Sequence, residues 1–167
     1  NNKIEGIKAL GAEVRLVGKN QDEAQLEADR LSIEEGMTYV SPFDNIDVIA
    51  CQGTLGLEIH QQIPDLNFAF VPLSGGGLIC GVAKALKSLN RKLKVIGVSM
   101  DRGAAMYESQ KAGKPIFVKE EESLADALTG GIGLDNKYTF QLTKQLVDEI
   151  VLVSEKEIAD GIHHAYW

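Results

Sequence analysis

The chain has 167 residues, 44% of them hydrophobic, with a net charge of −7 and a pI near 5.0. That length holds one domain or pieces of two, and the apolar fraction is enough for a buried core. The acidic balance argues against nucleic acid as a partner, which needs basic stripes, and no apolar run reaches the length of a membrane span.

In chain order, Ile4, Ile7 and Leu10 have the spacing of a helix tail, stopped by Gly11. Residues 13–17 alternate like a strand, residues 22–35 are rich in good helix formers, Gly36 ends them, and 37–40 read as a second short strand. Ser41-Pro42-Phe43-Asp44 is a turn, and Asp47 is placed to cap a helix that runs to Pro64. An apolar run over 68–73 reads as a buried strand, followed by Ser74-Gly75-Gly76-Gly77 and a helix carrying Leu78, Ile79, Val82, Leu86 and Leu89. A second buried strand is predicted at 94–98, a helix at 104–112, a short strand at 116–118 and a helical turn at 124–128. A helix at 138–146 and a strand at 149–153 follow, and Ser154 precedes Glu157 at capping-box spacing for the last helix. Strands separated by helices predict an α/β fold: a twisted parallel sheet with helices on both faces.

The Ser74-Gly75-Gly76-Gly77-Leu78 turn joins a strand to a helix. The first N–H groups of a helix lack internal partners and carry partial positive charge, so such a turn suits a phosphate; the alternative is a tight turn that binds nothing. The P-loop pattern fails because Val82 and Ala83 follow Gly81 where Lys and Ser/Thr are needed. The dinucleotide pattern fits poorly, with Cys80 at its third glycine. A lone monophosphate suits the loop better. Other candidates read blandly. Cys51 and Cys80 have no metal spacing and are predicted to be small buried residues of a reducing cytoplasm. Lys84 and Lys87 are predicted to face solvent, and His60, His163 and His164 have no partner spacing. The acidic run at 120–122 reads as a solvated loop. The chain has no initiator Met and ends within an amphipathic stretch, so an internal piece of a longer polypeptide, truncated at both ends, is expected.

Three motifs in order, at residues 7–14, Ser41-Pro42-Phe43-Asp44 through Gln52-Gly53-Thr54, and Pro72 through Leu78, resemble the fold-type II pyridoxal-phosphate enzymes (the tryptophan synthase β-like fold), in the threonine dehydratase and serine racemase branch. Residues 98–106 and 130–136 are most similar to hydroxyectoine-utilisation dehydratases. The resemblance implies that residues 1–40 belong to a smaller mobile domain and 41–167 to a larger cofactor domain. It implies that Ser74, Gly75, Gly76, Gly77 and Leu78 hold the phosphate of pyridoxal 5'-phosphate, with Gln52, Gly53 and Thr54 nearby; Thr54 reads equally well as a helix hydroxyl bonded to its own backbone.

The implied activity is that of a dehydratase or ammonia-lyase on a small β-hydroxy amino acid, threonine- or serine-like, or on a hydroxyectoine-derived compound. Alternatives are a racemase of the same fold and a non-catalytic phosphate- or nucleotide-binding domain. A cytoplasmic homodimer with a small amino-acid substrate is expected by analogy. Some family features are missing. No aromatic-Lys motif bearing the Schiff-base lysine occurs, so no catalytic residue is assigned and the chain alone is expected to be inactive. Relatives that bind a divalent metal use acidic residues where this chain has Ser99, Gly103 and Ala105, so no metal is expected there, with Asp101 the nearest competent ligand.

Overall fold

The computed structural model describes residues 2–167; residue 1, read from the sequence as leading into the first helix, lies outside them. By contacts the chain divides into two units, Asn1–Tyr39 and Val40–Trp167.

The first unit carries α1 (Asn2–Ala9) and α2 (Gln21–Glu34). Asn20 caps α2, its side chain accepting from the Glu23 amide at 2.9 Å. Glu23 in turn accepts from the Lys19 amide at 2.9 Å, which ties the preceding residue to the first turn. Neither helix has a buried residue. The strands predicted at 13–17 and 37–40 do not form; both segments lack regular secondary structure and have no ladder partner among the described residues. Alternation of side chains favours an extended backbone, but a strand exists only when a neighbour takes its N–H and C=O groups.

The second unit is an α/β domain. β1 (Phe68–Pro72), β2 (Lys94–Met100) and β3 (Glu149–Val153) pair in that order. Both pairings are parallel, with Phe68 beside Lys94 and Ile96 beside Glu149. The helices are α3 (Ile46–Gln62), α4 (Gly77–Leu89), α5 (Ala105–Ala112), α6 (Thr139–Leu146) and α7 (Glu155–Tyr166). Ile79, Val82 and Leu86 of α4 join Ala69, Val71, Leu73 and Val95 in one buried cluster. β1 is buried on that side only: Phe68 and Phe70 are 56% and 66% exposed, where the sequence predicted a fully buried strand. Its run of apolar residues hides a one-sided burial pattern, because among the described residues only one face of β1 is covered.

Smaller corrections follow from pairing and capping. Residues 116–118 are not a strand; the Ile116 amide donates to the buried Ser109 hydroxyl at 3.1 Å instead. The cap of α3 is Asn45, whose side chain accepts from the Asp47 and Val48 amides at 2.8 and 3.2 Å. Asp47 sits two positions past the cap, inside the first turn. α3 and α4 cross closely: a Cβ on Gly81 would lie 2.3 Å from the Ile49 carbonyl oxygen, so only glycine fits there. The capping box at Ser154 and Glu157 forms as read.

At the amino-terminal edge of the strands, Asp148 gathers three donors: Lys87 Nζ at 2.6 Å, the Val95 amide at 2.8 Å and Lys94 Nζ at 3.2 Å. Burial pushes its carboxyl up, but these donors outweigh it and hold the group down at about 2. A carboxyl depressed by folding stabilises the fold above its ordinary range, and that contribution fades as pH falls towards the folded value. Asp148→Asn is therefore expected to cost about 1–2 kcal/mol at neutral pH, with the gap to the parent narrowing between about pH 4 and pH 2. Urea unfolding across that range checks it; a gap that stays constant with pH would contradict the assigned cause.

Candidate functional site

Leu73 makes the last ladder bond beyond β1, donating to the Val98 carbonyl at 2.8 Å. The chain then leaves the sheet through Ser74 and the glycines. Gly76 is the cap residue of α4, with φ at 92°, a left-handed conformation that glycine alone adopts freely. Its carbonyl accepts the first helical bond, from the Cys80 amide at 3.0 Å. Among the described residues, no hydrogen-bond acceptor meets the amides of Ser74, Gly75, Gly76, Gly77 or Leu78. Gly75, Gly76 and Gly77 are nonetheless buried. Buried backbone donors in native proteins are almost always paired, so a row of unpaired ones at the start of a helix fits an anion.

The glycines themselves are required by packing. Their missing side chains face protein. A Cβ on Gly75 would lie 2.4 Å from Phe43 Cγ, and one on Gly77 would lie 2.9 Å from the Phe43 backbone. A Cβ on Gly76 would meet Thr139, Met106 and Thr143 at 3.0–3.1 Å. The loop is thus clamped between the Phe43 turn on one side and α6 with Met106 on the other.

The turn itself is ordered by its first and last residues. The Ser41 hydroxyl accepts from the Asp44 amide at 3.0 Å. The Asp44 carboxylate accepts from the amides of Lys137, Tyr138 and Thr139 at 2.6, 2.8 and 2.9 Å. It caps α6 from far away in the chain, where the local residue, Tyr138, offers no cap. Asn136 completes this helix start, donating to the Ile132 carbonyl at 2.9 Å and accepting from the Phe140 amide at 2.8 Å. Behind the loop, Cys80 is fully buried, with Sγ 3.5 Å from the Thr143 hydroxyl oxygen. Burial pushes its thiol up to about 11, only partly offset by that contact.

The remaining candidates sort clearly. Thr54 donates its hydroxyl to the Cys51 carbonyl one turn back, at 2.8 Å, which is the local reading of that residue. Cys51 is exposed, not buried as predicted, because it lies on the outer face of α3. Lys84 is exposed as predicted, whereas Lys87 is half-buried and committed to Asp148. His163 and His164 lie exposed on α7. Ser99 is buried, and Asp101 is exposed with Arg102 at 3.6 Å. No cluster of His, Cys, Asp and Glu suited to a metal occurs among the described residues, and no described helix is long and apolar enough to cross a membrane. Cavities of about 390 and 400 Å³ lie elsewhere: one between α3, α4 and α6, the other beside Glu120, Glu121 and Glu122.

The fold defines a class first: an open parallel α/β domain with a glycine turn at a strand tip, where such sheets bind ligands. Residues 1–166 match the family model described as "Pyridoxal-phosphate dependent enzyme", and the chain belongs to that family. It is 54% identical over 165 residues to a putative threonine dehydratase of Sinorhizobium fredii, covering 99% of this chain and 50% of that protein. It is 43% identical over 161 residues to an L-threonine ammonia-lyase of Thermotoga maritima, covering 96% and 40%. Maize serine racemase superposes with a TM-score of 0.89 at 29% identity, covering 99% of this chain and 51% of that one. The processed threonine deaminase isoform 2 of Solanum lycopersicum superposes with a TM-score of 0.79 at 40% identity, covering 92% and 44%. The chain thus spans about half the length of these relatives. The resemblance to fold-type II enzymes read from the sequence holds; the hydroxyectoine detail has no counterpart among these names.

Two measurements probe this geometry. Gly76→Ala forces a side chain into a left-handed backbone and against Thr139, and is expected to lower stability by about 1–3 kcal/mol in urea unfolding. A thiol reagent added to the folded chain is expected to modify Cys51 quickly and Cys80 only after denaturation; equal rates would show that the region behind the loop is open.

Proposed function

We propose that Ser74, Gly75, Gly76, Gly77 and Leu78 hold the phosphate of pyridoxal 5'-phosphate, and that this chain supplies the phosphate-holding part of a lyase that converts a small β-hydroxy amino acid to a keto acid and ammonia. The observation that carries the reading is the run of buried, unpaired amides from Gly75 to Gly77 at the strand tip, in a chain of this family. Ser74 adds a hydroxyl at the mouth of the turn, and the N-terminus of α4 adds its partial positive charge. When bound, the cofactor supplies an electron sink for bond breaking at the substrate α-carbon. The chain's part is to fix where that cofactor sits. A clamped loop holds its donors in place before the ligand arrives, so little ordering cost remains.

In a protein that carries this chain together with the other half of its relatives, the net reaction on threonine would yield a keto acid and ammonia. Relatives named threonine dehydratase and L-threonine ammonia-lyase support that substrate class. A hydroxyectoine-derived substrate rests only on the motif likeness at residues 98–106 and 130–136. A racemase is the second reading, favoured by the superposition on maize serine racemase. Product analysis separates them: keto acid with ammonia, or the mirror-image amino acid. We assign the lysine that carries the cofactor to a segment outside residues 1–167, and hence no lyase activity to this chain alone. Division into a smaller unit of residues 1–40 and a larger one of 41–167, a cytoplasmic setting, a homodimer and the lack of a metal at 99–105 belong to the same reading.

The test uses ligands without an aldehyde, which cannot react with surface lysines. Pyridoxine 5'-phosphate is expected to bind the chain at least about tenfold more tightly than pyridoxine, by equilibrium dialysis. Equal affinities would remove the phosphate-holding role from the loop.

A further inference from the structure

The phosphate loop does not hold its own shape. Its bond to the rest of the fold beyond the Leu73 and Cys80 amides is steric: Phe43 lies against Gly75 and Gly77 on one side, while Thr139 and Thr143 lie against Gly76 on the other. The two jaws come from segments more than ninety residues apart, and one side chain joins them. The carboxylate of Asp44, next to Phe43, takes the amides of Lys137, Tyr138 and Thr139. Thr139 is fully buried and is itself one of the residues touching the Gly76 side of the loop. The Ser41 hydroxyl fixes the turn that aims Asp44.

We propose that Asp44 is the positioning residue of the phosphate site: it touches no ligand, and it sets the spacing of the jaws that hold the loop amides in register for a phosphate. The proposal rests on the reading of 74–78 as the phosphate cradle. The physical argument is one of leverage. A carboxylate accepting three backbone donors at a helix start is a strong, directional cap. Without it, those three amides lose their acceptor, the first turn of α6 loosens, and Thr139 and Phe43 no longer approach the loop from fixed directions. Oriented amides bind an anion well only while their directions converge, so affinity falls even though the loop sequence is untouched. Asparagine at this position keeps one acceptor oxygen and half the cap; alanine keeps none.

The experiment measures pyridoxine 5'-phosphate binding by the chain, its Asp44→Asn and Asp44→Ala variants, and Asp148→Asn. Asp148 lies at the opposite, amino-terminal edge of the strands, so its variant reports what a loss of stability alone does to binding. The expected result is a graded loss: a few-fold for Asp44→Asn, about tenfold or more for Asp44→Ala, and none for Asp148→Asn. Amide resonances of Gly75, Gly76 and Gly77 are expected to shift in both Asp44 variants without ligand. If Asp44→Ala does not fold, the asparagine variant carries the comparison by both readouts. Unchanged affinity in a folded Asp44 variant, with binding intact in the parent, overturns the proposal and leaves the cradle standing. A parent chain that binds pyridoxine 5'-phosphate no better than pyridoxine overturns the cradle, and this proposal with it. Equal weakening by Asp148→Asn also overturns it, since the effect would then be one of general stability.

Discussion

The constraint on which this domain depends is the lack of room for side chains at Gly75, Gly76 and Gly77. Phe43 occupies the space beside two of them, and Thr139, Thr143 and Met106 occupy the space beside the third. A loop held by contact on both sides cannot relax to pair its own amides, so the donors at the start of α4 stay unmade inside a buried turn. That arrangement is costly unless something negative sits there. The same packing that calls for glycines here also leaves the turn suited to an anion.

The two ends of the parallel strands are specialised in opposite ways. At the carboxyl ends the chain leaves donors unused, at the glycine turn. At the amino ends three donors converge on one carboxylate, Asp148, which ties α4, β2 and the entry to β3 together. Rigidity at one end and unspent hydrogen-bonding capacity at the other is what an open α/β sheet offers a ligand. Buried Cys80 and Thr143 back the loop with a small, polar but inert contact, since a thiol held at about 11 stays protonated at neutral pH.

Much of the fold was legible in the sequence because it is set by local rules. The helices at 46–62, 77–89 and 139–146 follow from apolar spacing, and the capping box at Ser154 and Glu157 from residue types three apart. The strands at 68–72, 94–100 and 149–153 followed from apolar runs between helices. The same reasoning failed at 13–17, 37–40 and 116–118, since alternation specifies an extended backbone but cannot supply a neighbour to pair with. It also misjudged Cys51, which faces outward from α3, and Lys87, whose partner Asp148 lies 61 positions further along the chain.

By itself, then, the amino-acid sequence determined the α/β class, the glycine turn between strand and helix, and membership of a pyridoxal-phosphate dependent family. Only the tertiary structure decided why the glycines are there and what steadies them. Phe43 and Asp44 look like turn residues in sequence, yet one fills the space under the loop and the other caps a helix that begins more than ninety positions later. Hydrogen bonds of that span leave no periodic trace in the chain: nothing local distinguishes a carboxylate that faces water from one that folding will bring to a distant helix start.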